Sequence, residues 1–462
     1  MLIRNCVVLA CLLTLCFTAI NAEAGCNGSC SVSDGDDWTI TEDTHMWDEE
    51  INFKDLTVDT GATLKLENVQ TNITGHVDIS GNTEWINSDI IFLGETTGSN
   101  ITVNKKLEII SSNVSFNFTT YAAGNVRGFY LSENSKLIIK DSDNNPSTPD
   151  DRSIIKSLNS SWMSWYINNN RDFENTINIE NSELIRPIIY NWGSNPLVKN
   201  NTFSSNGWIR LYGDNLIFEN NTNNPSDSLY IYYYGDNGVI KNNTLLGDYG
   251  SINLGCNNPD YQCDINWWNE NYKGPQIAYN NAVYNNYLAT GTSTAISSYD
   301  SHNLTIFNNT FTNARTAINS YNITDHKIFN NTITVSNLSA NSYALGVAGI
   351  NVEIYQNIIR DCTNYCILAA SGDLKMIENI NIHNNYITNL TGISGIQIGS
   401  GAGSQSSSIN IYENVIEGGW YIDEPEQRAF RGIGAFGFNS YSEIPSNVQI
   451  YGNHITDVID AI

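Results

Sequence analysis

The sequence predicts an all-β solenoid, a parallel β-helix, and two observations lead to this fold class. A phrase in which an aromatic residue and glycine lead into Asn-Asn-Thr occurs three times, at Trp192–Thr202, Tyr212–Thr222 and Tyr234–Thr244, with starts about 20 and 22 residues apart. A fixed period in this range is typical of one structural unit stacked many times. The hydrophobic runs inside each unit are short, β-branched or aromatic and bounded by Gly, Asn and Asp, which favours strands over helices.

Degenerate copies of the Asn-Asn unit continue towards the end of the sequence. They lie at Ile306–Phe311, Ile328–Ile333, Ile382–Ile387 and Ile450–Ile455. Asn tolerates the left-handed backbone conformation at sharp turns, and its amide can hydrogen-bond along a stack of coils. We therefore expect the Asn pairs to form turns between strands.

Alternating apolar residues predict strands in the N-terminal third. The runs Thr63–Glu67, Lys106–Ile110, Lys136–Ile139 and Ile177–Ile179 place apolar side chains at every second position. This spacing puts those side chains on one face of a strand. Short strands and tight turns in a coil of about 22 residues describe a parallel β-helix better than a helical repeat.

On these repeats the chain resembles the right-handed parallel β-helix repeat proteins, which include pectate lyases, polygalacturonases, alginate epimerases and many non-enzymatic surface proteins. The resemblance covers the chain from Trp192 onward and, more loosely, from Thr39. It implies a single right-handed β-helix with coils of roughly 20–30 residues, and a bias towards polysaccharides. It implies no particular reaction, because this fold carries many unrelated activities.

The N-terminus predicts export. Residues 1–24 combine Arg4, an apolar stretch and a small-residue cleavage site, which is typical of a secretory signal peptide. We expect an N-terminal cap over 25–50 and the β-helix over 51–462. A lipid-anchored Cys26 is the alternative, although Glu23 stands where such a signal would carry an aliphatic residue.

No later stretch is long and apolar enough to span a bilayer, so we expect a secreted or cell-surface protein without a transmembrane segment in the mature chain. The last residues, from Val448 onward, still follow the repeat and carry no polar cap. An uncapped end exposes core and strand edge. Two explanations stay open: the chain is a fragment of a longer protein with a further domain, or another subunit covers this end.

Six cysteines outside the signal form three close pairs. They are Cys26 with Cys30, Cys256 with Cys263, and Cys362 with Cys366. Local pairing in an exported chain predicts disulfides that clamp loops. A metal site is the weaker alternative, because the histidines lie elsewhere in the sequence and the pairs are far apart.

The net charge of −26 and the pI of about 4.4 exclude some partners. An acidic surface repels nucleic acid and anionic membranes, and it repels acidic polysaccharides unless cations intervene. The simpler interpretation is a solvated exterior. About fifteen Asn-X-Ser/Thr sequons also make the chain a candidate glycoprotein, although its Asn, Ser and Thr content explains most of them.

The main candidate site is aromatic. Trp192, Tyr212 and Tyr234 hold equivalent positions in three repeats, so they should stack about 4.8 Å apart on neighbouring coils. With Trp208 and Tyr232 they form our candidate glycan-binding set, because aromatic faces suit the apolar C–H surfaces of sugar rings. The alternative is that aligned rings only stabilise the stack of coils.

Asp214 and Asp236 are the candidate catalytic residues. They occupy the same place in consecutive repeats, and paired carboxylates can serve hydrolysis or bind calcium. However, Gly-Asp-Asn is ordinary turn chemistry. Elsewhere Asp141, Asp143 and Asn145 show the alternate spacing of calcium ligands, although Pro146 breaks the EF-hand pattern, so a polar loop is the preferred interpretation. We expect no cofactor, with calcium as the one possible exception.

The sequence therefore predicts a secreted or cell-surface β-helix for glycan recognition or adhesion, with a polysaccharide as its partner. The motifs of pectate lyases and polygalacturonases are missing, and basic residues for proton abstraction are scarce along the aromatic stretch. These absences argue against an enzyme. A polysaccharide lyase, hydrolase or epimerase is the first alternative, and a purely structural surface stalk is the second.

Overall fold

The computed structural model describes residues 25–93, 100–117, 128–143, 151–158, 164–169, 175–248, 250–255, 277–291, 293–335, 343–371, 377–400, 406–418, 431–435 and 446–462. Across these residues the chain contains β-strands and turns, without an α-helix. The strands pair in parallel with their equivalents in the next coil, apart from one antiparallel pair at the N-terminus. The chain is a right-handed parallel β-helix, in keeping with the handedness of parallel crossovers.

Each coil contributes to three faces. The first face, in chain order, comprises β3 (Thr44–Trp47), β5 (Thr63–Glu67), β8 (Asn82–Ile86), β11 (Lys106–Ile110), β14 (Lys136–Lys140), β17 (Thr176–Glu180), β20 (Leu197–Lys199), β23 (Ile217–Glu219), β26 (Val239–Lys241), β30 (Ala282–Tyr284), β34 (Thr305–Phe307), β37 (Lys327–Phe329), the C-terminal part of β39 (Tyr343–Tyr355), β42 (Ile377–His383), β45 (Ser406–Tyr412) and β48 (Ser446–Tyr451).

The second face is a separate sheet. It comprises β6 (Gln70–Ile73), β9 (Asp89–Phe92), β12 (Asn113–Phe116), β15 (Ile154–Ser157), β18 (Glu183–Ile185), β21 (Thr202–Ser204), β24 (Thr222–Asn223), β27 (Thr244–Leu246), β31 (Tyr287–Ala289), β35 (Thr310–Ala314), β38 (Thr332–Val335), β40 (Ile358–Arg360), β43 (Tyr386–Leu390), β46 (Val415–Gly418) and β49 (His454–Thr456).

The third face carries the candidate site. It comprises β2 (Trp38–Ile40), β4 (Leu56–Val58), β7 (Val77–Ile79), β10 (Asn100–Val103), β13 (Gly128–Leu131), β16 (Trp165–Asn169), β19 (Pro187–Asn191), β22 (Gly207–Leu211), β25 (Leu229–Tyr233), β28 (Ser251–Leu254), β32 (Thr294–Tyr299), β36 (Thr316–Thr324), the N-terminal part of β39, β41 (Tyr365–Ser371), β44 (Ser394–Ser400) and β47 (Arg431–Ala435). Two short strands, β29 (Ala278–Tyr279) and β33 (Ser301–His302), pair beside it.

The core is a set of apolar columns that run along the helix axis. On the third face Ile189 pairs with Ile209, which pairs with Ile231, and the column continues to Ile433. These side chains are fully buried. Because strand side chains alternate between faces, the intervening residues point outward. On the third face, the residues that form the outer surface are therefore different from those that form the core.

A buried column of asparagines lies at the turn between the first and second faces. Each member accepts a hydrogen bond at Oδ1 from the backbone N–H of the residue at the same turn one coil earlier, beginning with Ser182 N–H to Asn201 Oδ1 at 3.0 Å. The column consists of Asn201, Asn221, Asn243, Asn286, Asn309, Asn331, Asn357, Asn385, Asn414 and the partly buried Asn453. Serines occupy the same turn in earlier coils, where Ser88 N–H donates to Ser112 Oγ at 3.0 Å.

The residue before each buried Asn adopts the left-handed conformation. At Asn200, Asn220, Asn308 and Asn330 φ lies between 53° and 56°. The Asn pairs therefore act as the sequence predicts: the first residue turns the chain, and the second bonds along the stack. Most successive members of the column are 20 to 29 residues apart, but separations of 43 and 39 residues occur at Asn243–Asn286 and Asn414–Asn453. The expected coil of roughly 20–30 residues is therefore interrupted by insertions.

Two of the three predicted disulfides are present. Cys26–Cys30 has a Cα–Cα distance of 5.8 Å, and Cys362–Cys366 has one of 5.4 Å. Cys256 and Cys263 lie outside the described residues. β1 (Gly25–Asn27), which holds Cys26, runs antiparallel to β3. Among the described residues, no helix has the length and apolar character of a membrane span. Contact of another subunit or a further domain with the C-terminal coil stays a prediction.

Candidate functional site

Trp192, Tyr212 and Tyr234 form the aromatic stack that the repeats predict. The ring centroids of Trp192 and Tyr212 are 3.7 Å apart with an interplanar angle of 11°, and those of Tyr212 and Tyr234 are 4.9 Å apart at 15°. Both faces of the Tyr212 ring are therefore covered by neighbouring rings. Tyr212 and Tyr234 are only 8% and 7% exposed, so their rings pack between coils. Glycan binding by this stack stays a prediction.

A second group of side chains lies on the strands that directly precede these three residues, and its rings are more accessible; we call it the open aromatic face. It consists of Tyr190, Trp208, Arg210, Tyr230 and Tyr232 on the outer surface of β19, β22 and β25. Trp208 is 43% exposed. The Tyr230 ring meets the Trp208 ring edge-on, with centroids 5.9 Å apart and an interplanar angle of 83°.

Arg210 lies at the centre of the open aromatic face. In the strand register it is aligned with Tyr190 on one side and Tyr232 on the other. Its guanidinium carbon lies 5.4 Å and 5.2 Å from the centroids of those rings, and 5.6 Å from that of Trp208. These distances permit cation–π attraction. Arg210 is only 9% exposed, so the rings shield its charge from water.

The pKa of Arg210 lies above its ordinary value. Burial by itself lowers the pKa, but electrostatic interaction with the surrounding tyrosines outweighs it. Arg210 therefore stays charged at any physiological pH. The sequence reasoning did not single out this residue, although the alternation Trp208-Ile209-Arg210-Leu211 already indicates that Trp208 and Arg210 share the outer side of a strand.

Asp214 and Asp236 lie in turns, as the alternative interpretation of the sequence has it. Asp214 Oδ1 accepts a hydrogen bond from the Asp236 backbone N–H at 2.9 Å, and Asp236 Oδ1 accepts one from the Tyr279 N–H at 2.7 Å. Burial raises the pKa of Asp236, the Tyr279 N–H opposes this, and the charge of Asp214 adds to it. Each carboxylate thus caps the next coil. Their catalytic role stays a prediction that has no further support in this geometry.

The candidate calcium residues come together only in part. Asp141, Asp143 and Asp151 place carboxylate oxygens within 4.8 Å of one another. Asp141 is buried and accepts a hydrogen bond from Asn181 Nδ2 at 2.9 Å. Asn145 lies outside the described residues. Carboxylate oxygens suit calcium, but an acidic cluster also occurs without an ion, and calcium binding here stays a prediction.

The sequence reasoning missed a longer aromatic column on the first face, which we call the lateral stack. Its neighbouring ring centroids are 4.6 to 5.2 Å apart. The members are Tyr284, Phe307, Phe329, Tyr355, His383, Tyr412 and Tyr451. The sequence already indicates this column, because each of its residues lies two positions before an Asn of the buried turn column. In earlier coils charged residues occupy the same column. Among them, Lys241 Nζ lies 3.3 Å from Glu219 Oε1.

Comparison with known proteins gives structural likeness alone. No protein-family model matches the chain, and no curated protein matches it. Among solved structures, a mannuronic acid specific polysaccharide family 6 lyase from human gut microbiota is 11% identical, with 92% of this chain and 79% of that chain covered and a TM-score of 0.23. The PL6 family alginate lyase AlyGC is 10% identical, with 92% and 98% covered and a TM-score of 0.19.

Proposed function

We propose that this protein is exported and recognises a glycan through the open aromatic face, with Trp208 as the main contact. The observation that carries the proposal is the 43% exposure of Trp208 beside a buried arginine and two partly buried tyrosines. A flat, accessible indole is well suited to stacking on the C–H surface of a sugar ring. The rings of the aromatic stack offer less, because they cover one another.

Hydroxyl recognition is available next to Trp208. In the strand register Tyr230 is followed by Ser251, and Tyr232 is followed by Asn253. Asn253 Nδ2 donates to Ser251 Oγ at 2.9 Å. Asn253 is half-buried and Ser251 is buried, so Asn253 is the more accessible of the two polar groups. A sugar needs such donors and acceptors around its aromatic contact.

The two disulfides support the export part of the proposal. Disulfides form and persist in oxidising compartments outside the cytosol, and both cysteine pairs lie at disulfide distance. The signal peptide predicted over residues 1–24 agrees with this setting. A secreted or cell-surface location places the open aromatic face where extracellular polysaccharides occur.

Affinity electrophoresis tests the proposal. The mature chain, Trp208→Ala and the control Tyr386→Ala are run through native gels that contain neutral or acidic polysaccharides, with and without calcium. Tyr386 is a matched control because it is 38% exposed and lies on the second face. We expect retardation of the wild type and of Tyr386→Ala by at least one glycan, and its loss in Trp208→Ala.

Other outcomes decide between the alternatives. If no glycan retards the wild type, recognition is wrong and the structural stalk gains support. If Trp208→Ala binds as well as the control, the location of the site is wrong. Clearing of polysaccharide in the gel would favour an enzyme, and Asp214→Asn and Asp236→Asn would then be assayed for turnover.

A further inference from the structure

A second cluster of polar and aromatic side chains lies further along the third face. We call Ser297, Tyr299, Asn319, Tyr321 and Tyr343 the tyrosine cluster. The Tyr343 hydroxyl donates to Asn319 Oδ1 at 3.0 Å and lies 3.4 Å from the Tyr321 hydroxyl. The rings of Tyr299 and Tyr321 stack with centroids 6.1 Å apart and an interplanar angle of 15°.

The position of the Tyr343 ring depends on Gly346. A Cβ atom at residue 346 would collide with Cε2 of Tyr343 and approach Asn319 Oδ1 to 3.0 Å. The Tyr343 ring therefore packs against the outer surface of β39 at Gly346, which has no side chain to collide with it. This arrangement brings the hydroxyl of Tyr343 to Asn319 on the neighbouring coil, and it leaves Tyr299, Asn319, Tyr321 and Tyr343 half-buried.

The cluster is chemically suited to neutral hydroxyl groups. Burial raises the pKa of both Tyr299 and Tyr343, so their phenols stay protonated and can donate hydrogen bonds. Amide and serine groups supply further donors and acceptors. Arg315, which is exposed, lowers the pKa of Tyr343 slightly, against the effect of burial. With a net charge of −26, the chain repels polyanions.

One column of outward-pointing residues connects the open aromatic face with the tyrosine cluster. Tyr232 is aligned with Asn253, Asn253 with Ser297, and Ser297 with Asn319. Three coil spacings of about 4.8 Å place Asn319 roughly 14 Å along the axis from Tyr232. The residues between them are polar, but Ser297 is only 6% exposed. A chain of sugars laid along the axis would therefore meet the half-buried Asn253 and Asn319, with Ser297 beneath it.

We infer that the tyrosine cluster is a second subsite for the same ligand, and that this ligand is a linear neutral polysaccharide running along the helix axis. The inference rests on the proposed function, because Trp208 and its neighbours supply the first subsite. It adds the class of glycan, its direction and the residues that contact its far end. Tyr343 and Asn319 are assigned as hydrogen-bond partners of sugar hydroxyls.

The test compares polymer with short oligosaccharide. Soluble linear β-glucan and mannan are the neutral probes, alginate and polygalacturonate the acidic ones, and a disaccharide of the neutral polymer is the short probe. The variants are Tyr343→Phe, Asn319→Ala and the control Tyr355→Phe, which removes a phenol hydroxyl on the first face. Unfolding of each variant is measured alongside binding by calorimetry.

We expect Tyr343→Phe and Asn319→Ala each to weaken binding of the neutral polymer about fivefold, the value of one neutral hydrogen bond. Both variants should bind the disaccharide at Trp208 with unchanged affinity. The control Tyr355→Phe should bind the neutral polymer as the wild type does. Unaltered polymer affinity in both variants, or tighter binding of the acidic polymers, would overturn the inference while Trp208→Ala still reports on the proposed function. If Trp208→Ala has no effect on glycan binding, the location of the first subsite is wrong, whatever the results for Tyr343→Phe and Asn319→Ala.

Discussion

The aromatic stack and the open aromatic face lie on the same few coils and use the same residue types, yet they differ in what covers the rings. Tyr212 is covered on both sides by rings 3.7 and 4.9 Å away. Trp208, four positions earlier, is 43% exposed and meets Tyr230 only edge-on. Alignment of rings along the β-helix thus goes with packing, and the ring left open on the same surface is the one we propose for binding.

The lateral stack supports the same distinction. Its rings are as regular as those of the aromatic stack, and it extends from Tyr284 to Tyr451. Its column begins where alternating charges end, since Lys241 is aligned with Tyr284. Either ion pairs or rings can therefore fill this column. This exchange is expected of a surface ladder whose main role is to stabilise the pairing of neighbouring coils.

The largest loss of stability should come from a variant in the buried Asn column, and the variants of both aromatic groups are compared with it. In Asn309→Ala the side-chain bonds to Val283 O, Phe307 O and Asn331 Oδ1 are lost, and the Asn286 amides lose their acceptor. We expect the free energy of unfolding to fall by about 3–5 kcal/mol, measured by urea denaturation.

Asn308→Ala is the matched control for that variant. Asn308 is exposed and has φ of 54°, so its replacement should cost only about 1 kcal/mol of left-handed strain. Equal losses in the two variants would contradict the view that the buried amide column, rather than the turn conformation, holds the coils together.

The next effect concerns the aromatic stack. Tyr212→Ala removes a buried ring with a neighbour on each side, and we expect a loss of about 2–4 kcal/mol in the free energy of unfolding. Glycan retardation in the folded variant should persist. A variant with normal stability but no glycan binding would reverse the roles of the two aromatic groups.

A buried titratable residue outside both groups gives a pH-dependent test of the same idea. His326 is fully buried, its Nε2 lies 2.9 Å from Ser301 Oγ, and burial lowers its pKa to about 3. Between pH 6.5 and about 3 the unfolded chain binds a proton at this residue and the folded chain does not. Stability therefore falls with decreasing pH, by up to roughly 1.4 kcal/mol per pH unit.

His326→Leu should remove this part of the acid sensitivity. The measurement is the slope of the free energy of unfolding against pH for wild type and variant, between pH 7 and pH 4. Identical slopes would show that His326 is protonated in the folded chain, in conflict with its burial.

The sequence predicted the stacking of coils well, because turn chemistry and strand alternation are local. The positions of Asn200 and Asn201, one left-handed and one buried, follow from the repeat itself. The accessibility of Trp208 and the enclosure of Arg210 could not be predicted in the same way. They depend on which rings meet across coils, and residues of similar chemistry four positions apart have opposite environments.

The tyrosine cluster and His326 were missed for a related reason. Tyr343 reaches Asn319 because of the missing Cβ at Gly346, and His326 enters the core at a turn where Leu304 occupies the preceding coil. Neither arrangement belongs to the repeated phrase. The tyrosine cluster and His326 are therefore features that the repeat does not predict.

The smallest expected effect on stability belongs to Trp208→Ala. The ring is exposed, so its removal should lower the free energy of unfolding by less than about 1 kcal/mol. Loss of binding without loss of stability would distinguish it from each of the preceding variants.

The most direct measurement determines glycan affinity and the free energy of unfolding for Trp208→Ala and Tyr212→Ala side by side. We predict that Trp208→Ala loses affinity and keeps its stability, whereas Tyr212→Ala loses stability and keeps its affinity. Parallel losses of both quantities in both variants would contradict the separation of packing rings from binding rings.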